Sequence, residues 1–177
     1  MRILGIDPGY GITGFGLIDA QRSQFRLLNC GAITTPANTE FAWRLEVIYN
    51  DMTQLLQMAK PDVVAIEELF FGQNVTTGIG VAQSRGVILL AIRQAGIPMF
   101  EYKPMQVKQA VVGYGNATKH QVMDMTKRLL HLQQLPKPVI PYPGSMPRIR
   151  IDAILLLIST FYDSTFVLKF LEGNIKW

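Results

Sequence analysis

Apolar and polar positions along this 177-residue chain fall into two rhythms. Near the start, "MRILGID" sets Ile3, Leu4 and Ile6 in an almost unbroken apolar run, the mark of a buried strand. "GYGITGFGLIDA" reads as a second strand paired to it through a glycine-rich turn, and "QFRLLNCGAITT" alternates as a half-buried third. The rhythm then changes. Between Glu40 and Lys60, Phe41, Leu45, Ile48, Met52, Leu55 and Leu56 recur at steps of three and four, which predicts an amphipathic helix. Pro61-Asp62 ends it, and "VVAIEELFF" follows as an apolar strand. "VAQSRGVILLAIRQAG" predicts a helix closing at Gly96, and "IPMFEY" the next strand. "PMQVKQAVVG" opens on a proline, which fits the first turn of a helix. Thr118 and Gln121 make a capping-box pattern ahead of "KHQVMDMTKRLLHL". Three antiparallel strands followed by alternating helix and strand predict one α/β domain over residues 1–177. Its sheet should be mixed, with about five strands flanked by helices.

Composition narrows the class. An apolar share of 49% is that of a globular protein and excludes a disordered one. The single cysteine, Cys30, excludes an internal disulfide framework and fits a reducing compartment. The start runs directly into a strand pattern bearing Arg2 and Asp7, with no signal-peptide pattern. Runs such as "IDAILLLIST" are too short and too polar to span a bilayer. The expectation is a soluble, cytoplasmic protein without a membrane partner. Charge is unevenly placed: seven Lys and Arg stand against nine Asp and Glu up to Glu101, and ten against four from Tyr102 onward. A basic second part beside an acidic first part suits a polyanion held near a metal, although solvated surface lysines explain the charge alone as well.

Two acids break the apolar pattern. Asp7 ends the first strand, where an uncompensated carboxylate costs several kcal/mol unless something cationic meets it. Asp7-Pro8-Gly9 can be only a turn, since these are preferred turn residues; it can also end a central strand as a metal ligand. Glu67 sits in "VVAIEELFF", again an acid in apolar sequence, and an edge strand in water would explain it as well. Two strands each with one misplaced carboxylate are more simply explained together. Clustered carboxylates without a His or Cys set favour Mg²⁺ or Mn²⁺ over Zn²⁺. In α/β sheets, sites gather at strand ends.

"RILGIDPGYGITGFG", "AIEELFF", "AQSRGVILLA", "FEYKPMQVKQAVVGYGNATKHQV" and "LPKP" together resemble the RuvC family of Holliday-junction resolvases, almost without gaps from Met1 to Pro138. The resemblance implies a ribonuclease-H-like fold, a homodimer, and Mg²⁺-dependent cleavage of four-way junction DNA, with Mn²⁺ the alternative ion. It leaves room for a branch-migration helicase complex as a further partner. It places metal-binding carboxylates at Asp7 and Glu67, a DNA-probing aromatic at Phe70, and DNA-contacting lysines at Lys108 and Lys119. An aromatic beside a metal site can stack on an unpaired base, and lysines can hold phosphates; without the resemblance, Phe70 reads as a core residue and the two lysines as solvated surface. A sugar-kinase or actin-like ATPase shares the "GIDPG"-type start on a related fold, but this chain is short and lacks a second nucleotide-binding half.

The resemblance breaks after Pro138. The family completes its metal site there with two aspartates three residues apart at a helix start. This chain has "PKPVIPYPGSMPRIRIDAILLLISTFYDS", whose four prolines between Pro138 and Pro147 exclude a helix across that stretch. Asp152, at the start of "IDAILLLIST", is the third candidate catalytic and metal-binding carboxylate; three residues before it stands Ile149. Residues 139–177 thus diverge from the family pattern, as an insertion or a frameshifted tail would. The corresponding alternative function is a catalytically impaired dimer that still binds junctions.

Overall fold

The structure, a computed structural model, describes residues 1–21, 24–69 and 75–133. Its elements run β1 (Arg2–Asp7), β2 (Ile12–Gln21), β3 (Gln24–Thr34), α1 (Phe41–Ala59), β4 (Val63–Glu67), α2 (Val75–Gln94), β5 (Met99–Tyr102), α3 (Pro104–Val112) and α4 (Lys119–Leu129). The strands form one sheet in the order β3-β2-β1-β4-β5. β1, β2 and β3 pair antiparallel as hairpins, while β4 lies parallel to β1 and β5 parallel to β4. The mixed five-stranded sheet predicted from the pattern is therefore present.

Period-two alternation divides the sheet residues between two faces. On one face Leu4, Ile6, Leu17, Ile33, Val64 and Ile66 pack under α1 and α2, meeting Ile48, Met52, Leu55 and Leu56 from α1 and Ile88, Ala91 and Ile92 from α2. On the other face, Ala65 and Tyr102 meet Val107 and Val111 of α3 and Val122 of α4. Ile3, Ile18, Ala20, Phe25 and Val63 continue that second face and are covered by Leu130. The central strands read as continuous apolar runs because they are buried on both sides.

Local signals place the helix ends. α1 ends at Lys60, in the left-handed region at φ 45°, with its N–H returning to the Leu56 carbonyl. α3 opens on Pro104 and closes at Gly113, at φ 93°. Thr118 caps α4 through the predicted box: the Thr118 N–H donates to Gln121 Oε1 at 2.9 Å, and the Gln121 N–H donates to Thr118 Oγ1 at 3.4 Å. Two boundaries differ from the sequence expectation. β4 stops at Glu67, and residues 70 and 71 of the predicted strand lie outside the described set. α2 begins at Val75 rather than Val81. Thr76, Thr77, Gly78 and Gly80 are weak helix formers and hide the first turns from a propensity reading. Among the described residues no helix is long and apolar enough to cross a membrane.

Candidate metal centre

β1 and β4 are parallel neighbours whose last paired residues are Ile6 and Ile66. Asp7 and Glu67 each follow by one residue, so they stand side by side where the two strands end. Adjacent strands lie about 4.8 Å apart, and residues in register point to the same side. Both carboxylates belong to the face of Ile3, Val63 and Ala65, the face that α3 and α4 cover. On its other flank Asp7 pairs with Gly14, and Gly5 with Gly16, so no side chain from β2 crowds the carboxylate there. Asp7 is only 4% exposed and Glu67 is half-buried. The strand register sets these two acids at neighbouring positions, one residue beyond the last β1–β4 pair.

Two carboxylates are hard oxygen donors and suit a divalent ion that prefers oxygen ligands. Among the described residues, no group of three or more His, Cys, Asp or Glu comes together as a metal site. The pair fits a divalent ion as part of a ligand set and does not complete one. Asp152 and Phe70 lie outside the described residues. Lys108 sits on α3, which begins two residues after β5 ends; β5 runs parallel to β4, so α3 starts beyond the same end of the sheet as Glu67. Lys119 opens α4, and its side chain is outside the described set.

The segment after Asp7 is fastened from several sides. Thr13 Oγ1 donates to the Gly9 carbonyl at 2.6 Å, and the Thr35 N–H donates to the Gly11 carbonyl at 3.0 Å. Arg44, from the first turns of α1, is 7% exposed. Its Nη2 donates to the Tyr10 carbonyl at 3.0 Å and its Nε to Thr35 Oγ1 at 2.8 Å, while the Thr35 hydroxyl itself donates to the Tyr10 carbonyl. The guanidinium carbon lies 4.7 Å from the centre of the Tyr10 ring. A buried guanidinium is tolerated when its donors and its charge are both met, here by neutral oxygens and an aromatic face. The Tyr10 ring also meets Phe41 edge-on, with centroids 5.8 Å apart. Gly80 of α2 leaves it room: a Cβ there would fall 3.1 Å from the ring.

The end of β4 is fastened from α2. Arg85 Nε donates to the Glu67 carbonyl at 3.2 Å, and its Nη2 pairs with the Glu101 carboxylate on β5. Beyond the last strand residue, the Glu68 N–H donates to the Tyr102 carbonyl at 2.9 Å. Sequence reasoning named neither arginine as a site residue. Both carried a signal: Arg44 falls on the apolar stripe four residues before Ile48, and Arg85 is the only charge between Glu68 and Arg93.

Comparison with known proteins gives the geometry its relatives. Residues 3–140 match the family described as crossover junction endodeoxyribonuclease RuvC. The protein of that name from Brevibacillus brevis is 53% identical over 138 residues, covering 78% of this chain and 83% of the relative. Its counterpart from Roseiflexus sp. is 47% identical over 173 residues, covering 98% of each. Among solved structures, T. thermophilus RuvC in complex with a Holliday junction substrate matches with a TM-score of 0.80 and 30% identity, covering 92% of this chain and 93% of that one. The sheet order, the helices on both faces and the paired strand-end acids make the fold ribonuclease-H-like. This chain belongs to the RuvC family of crossover junction endodeoxyribonucleases.

Proposed function

We propose that this protein is a metal-dependent endonuclease that cuts four-way DNA junctions, with Asp7 and Glu67 as two of its metal ligands. The observation that carries the reading is the register, which sets two carboxylates side by side on one face at adjacent parallel strand ends. Mg²⁺ is the proposed ion, with Mn²⁺ as the alternative. When bound, a divalent ion supplies Lewis acidity toward the scissile phosphate and the attacking water. The chain's own groups do the rest. Asp7 and Glu67 hold the ion, and Asp152 is the proposed third carboxylate. Lys108 and Lys119 neutralise phosphates that flank the cut, and Phe70 stacks on a base at the junction centre. A junction has two-fold symmetry, so paired cuts need two copies of the site; a homodimer supplies them. A branch-migration helicase is a partner that family membership alone suggests.

A second reading rests on one specific observation: no acid stands between Asp124 and Asp152, the stretch in which the family places its aspartate pair. On that reading the chain binds junctions as a dimer and cuts poorly. One experiment separates the two. A synthetic four-way junction is incubated with the full chain in Mg²⁺ and in EDTA, alongside Asp152→Asn. Cleavage in Mg²⁺ alone, lost in Asp152→Asn with binding retained, supports the nuclease with a three-carboxylate site. Junction binding without cleavage in either condition supports the impaired binder. Absence of junction binding overturns both.

A further inference from the structure

We infer that Arg85 is a positioning residue for the metal centre, acting through the backbone of Glu67 and itself held by Glu101. The inference rests on the reading of Glu67 as a metal ligand and concerns what keeps that ligand in place. Glu67 is the last residue of β4, one position beyond its last pair with β1 and held in register on the other side by Tyr102 of β5. A strand end is where a backbone has most freedom to twist, and the Glu67 carboxylate moves with it. Arg85 meets this weak point from the opposite face of the sheet. Its Nε donates to the Glu67 carbonyl at 3.2 Å, a charge-assisted bond stronger than one from a neutral donor. The neighbouring Nη2 of the same guanidinium is paired with the Glu101 carboxylate on β5.

The burial of the pair makes the brace directional. The Arg85 side chain is 13% exposed and that of Glu101 is 44% exposed. Glu101 keeps contact with water while drawing the guanidinium toward the β4–β5 edge. An ordinary surface ion pair contributes little, because two long side chains must be ordered in high dielectric. Here the value lies in a third partner, the carbonyl of the residue whose side chain faces the metal. Groups that orient a metal ligand without touching the ion change metal affinity about 10–100-fold when removed.

The test uses the full chain, with Mn²⁺ alone as the probe. Mn²⁺ affinity is measured by calorimetry for wild type, Arg85→Gln, Arg85→Lys, Glu101→Gln and Glu67→Gln, beside melting temperature and amide hydrogen exchange. Positioning predicts a dissociation constant raised about 10–100-fold in Arg85→Gln. It predicts a smaller rise in Glu101→Gln, which keeps the bond to Glu67, and partial recovery in Arg85→Lys. It also predicts faster exchange confined to the Glu68 amide and its neighbours, with the rest of the sheet still protected. A lower melting temperature with unchanged Mn²⁺ affinity and uniformly faster exchange would make Arg85 a stability residue and overturn the inference. Should Arg85→Gln fail to fold, Glu101→Gln decides alone, since Glu101 is exposed. If Glu67→Gln binds Mn²⁺ like wild type, the metal reading of Glu67 fails. Selective exchange at Glu68 then still decides whether Arg85 fixes this strand end.

Discussion

Asp7 is a carboxylate at the end of a strand that is apolar from Ile3 to Ile6. It is almost fully buried, and small residues flank it on β2. Asp7→Asn keeps its shape and removes its charge, so the substitution tests the chemistry with little disturbance to packing. Cleavage of a four-way junction should be lost, while junction affinity measured in EDTA stays near wild type or rises, because one negative charge leaves the neighbourhood of phosphates. Wild-type cleavage by Asp7→Asn, or its failure to fold, would reduce Asp7 to a turn residue. At this scale the sequence was informative wherever a residue contradicted its surroundings. Asp7 and Glu67 stood out as acids in apolar runs, whereas Arg44, which breaks the apolar stripe of α1 in the same way, was not singled out. Glu101 carried no such signal. It sits 16 residues from Arg85, and their meeting depends on the rotation of α2 and the alignment of β5, which one sequence does not encode legibly. Lys108 was named through family resemblance, since a lysine on a helix has no local signature of its role.

Elements were more legible than their ends. The helix of residues 41–59 and the capping box at Thr118 followed directly from spacing, whereas the first six residues of α2 were masked by threonines and glycines. The β1–β2 hairpin shows how an element end is secured. The Met1 ammonium donates to Asp19 Oδ1 at 3.2 Å and to the Ala20 carbonyl at 3.0 Å. That ammonium is the main reason the Asp19 carboxyl lies below its ordinary 3.8. Partial desolvation works against it, and Gln21 and Arg26 add to the lowering. The sign follows from linkage: a carboxyl with a depressed folded-state value stabilises the fold above its unfolded value. That contribution fades as pH falls through the depressed one. Melting temperature against pH should therefore fall more steeply for wild type than for Asp19→Asn from about pH 4 downward, with the two curves converging in acid. Parallel curves would mean that the Met1–Asp19 contact carries no stability.

At the scale of the whole molecule, α2 joins the two features that a junction nuclease needs. Through Gly80 it packs on Tyr10, three residues after Asp7, and through Arg85 it holds the end of β4. The same helix leaves Ile79, Gly86 and Leu90 exposed, at steps of seven and four, which trace one stripe along a helix. Seven large apolar side chains are exposed among the described residues, and four of them, Trp43, Met58, Ile79 and Leu90, lie on α1 and α2. A stable interface takes about 800 Å² from each partner, more than the α2 stripe alone offers, so the proposed dimer must draw on both helices. Gly86 has open space around it and lets a second backbone approach closely. Apolar periodicity in the sequence could not separate this face from a core face; exposure in the folded chain does. Leu90→Lys places a charge in the stripe without touching the core, and an exposed change of this kind costs the fold within about 0.5 kcal/mol. Sedimentation at micromolar concentration should give wild type a mass near twice 19.8 kDa and Leu90→Lys a mass near one chain, with melting temperature little changed. Paired cleavage of a junction should then decay into single nicks for the variant, because each copy would cut alone. A wild-type protein that sediments as one chain and still makes paired cuts would remove the dimer from the mechanism.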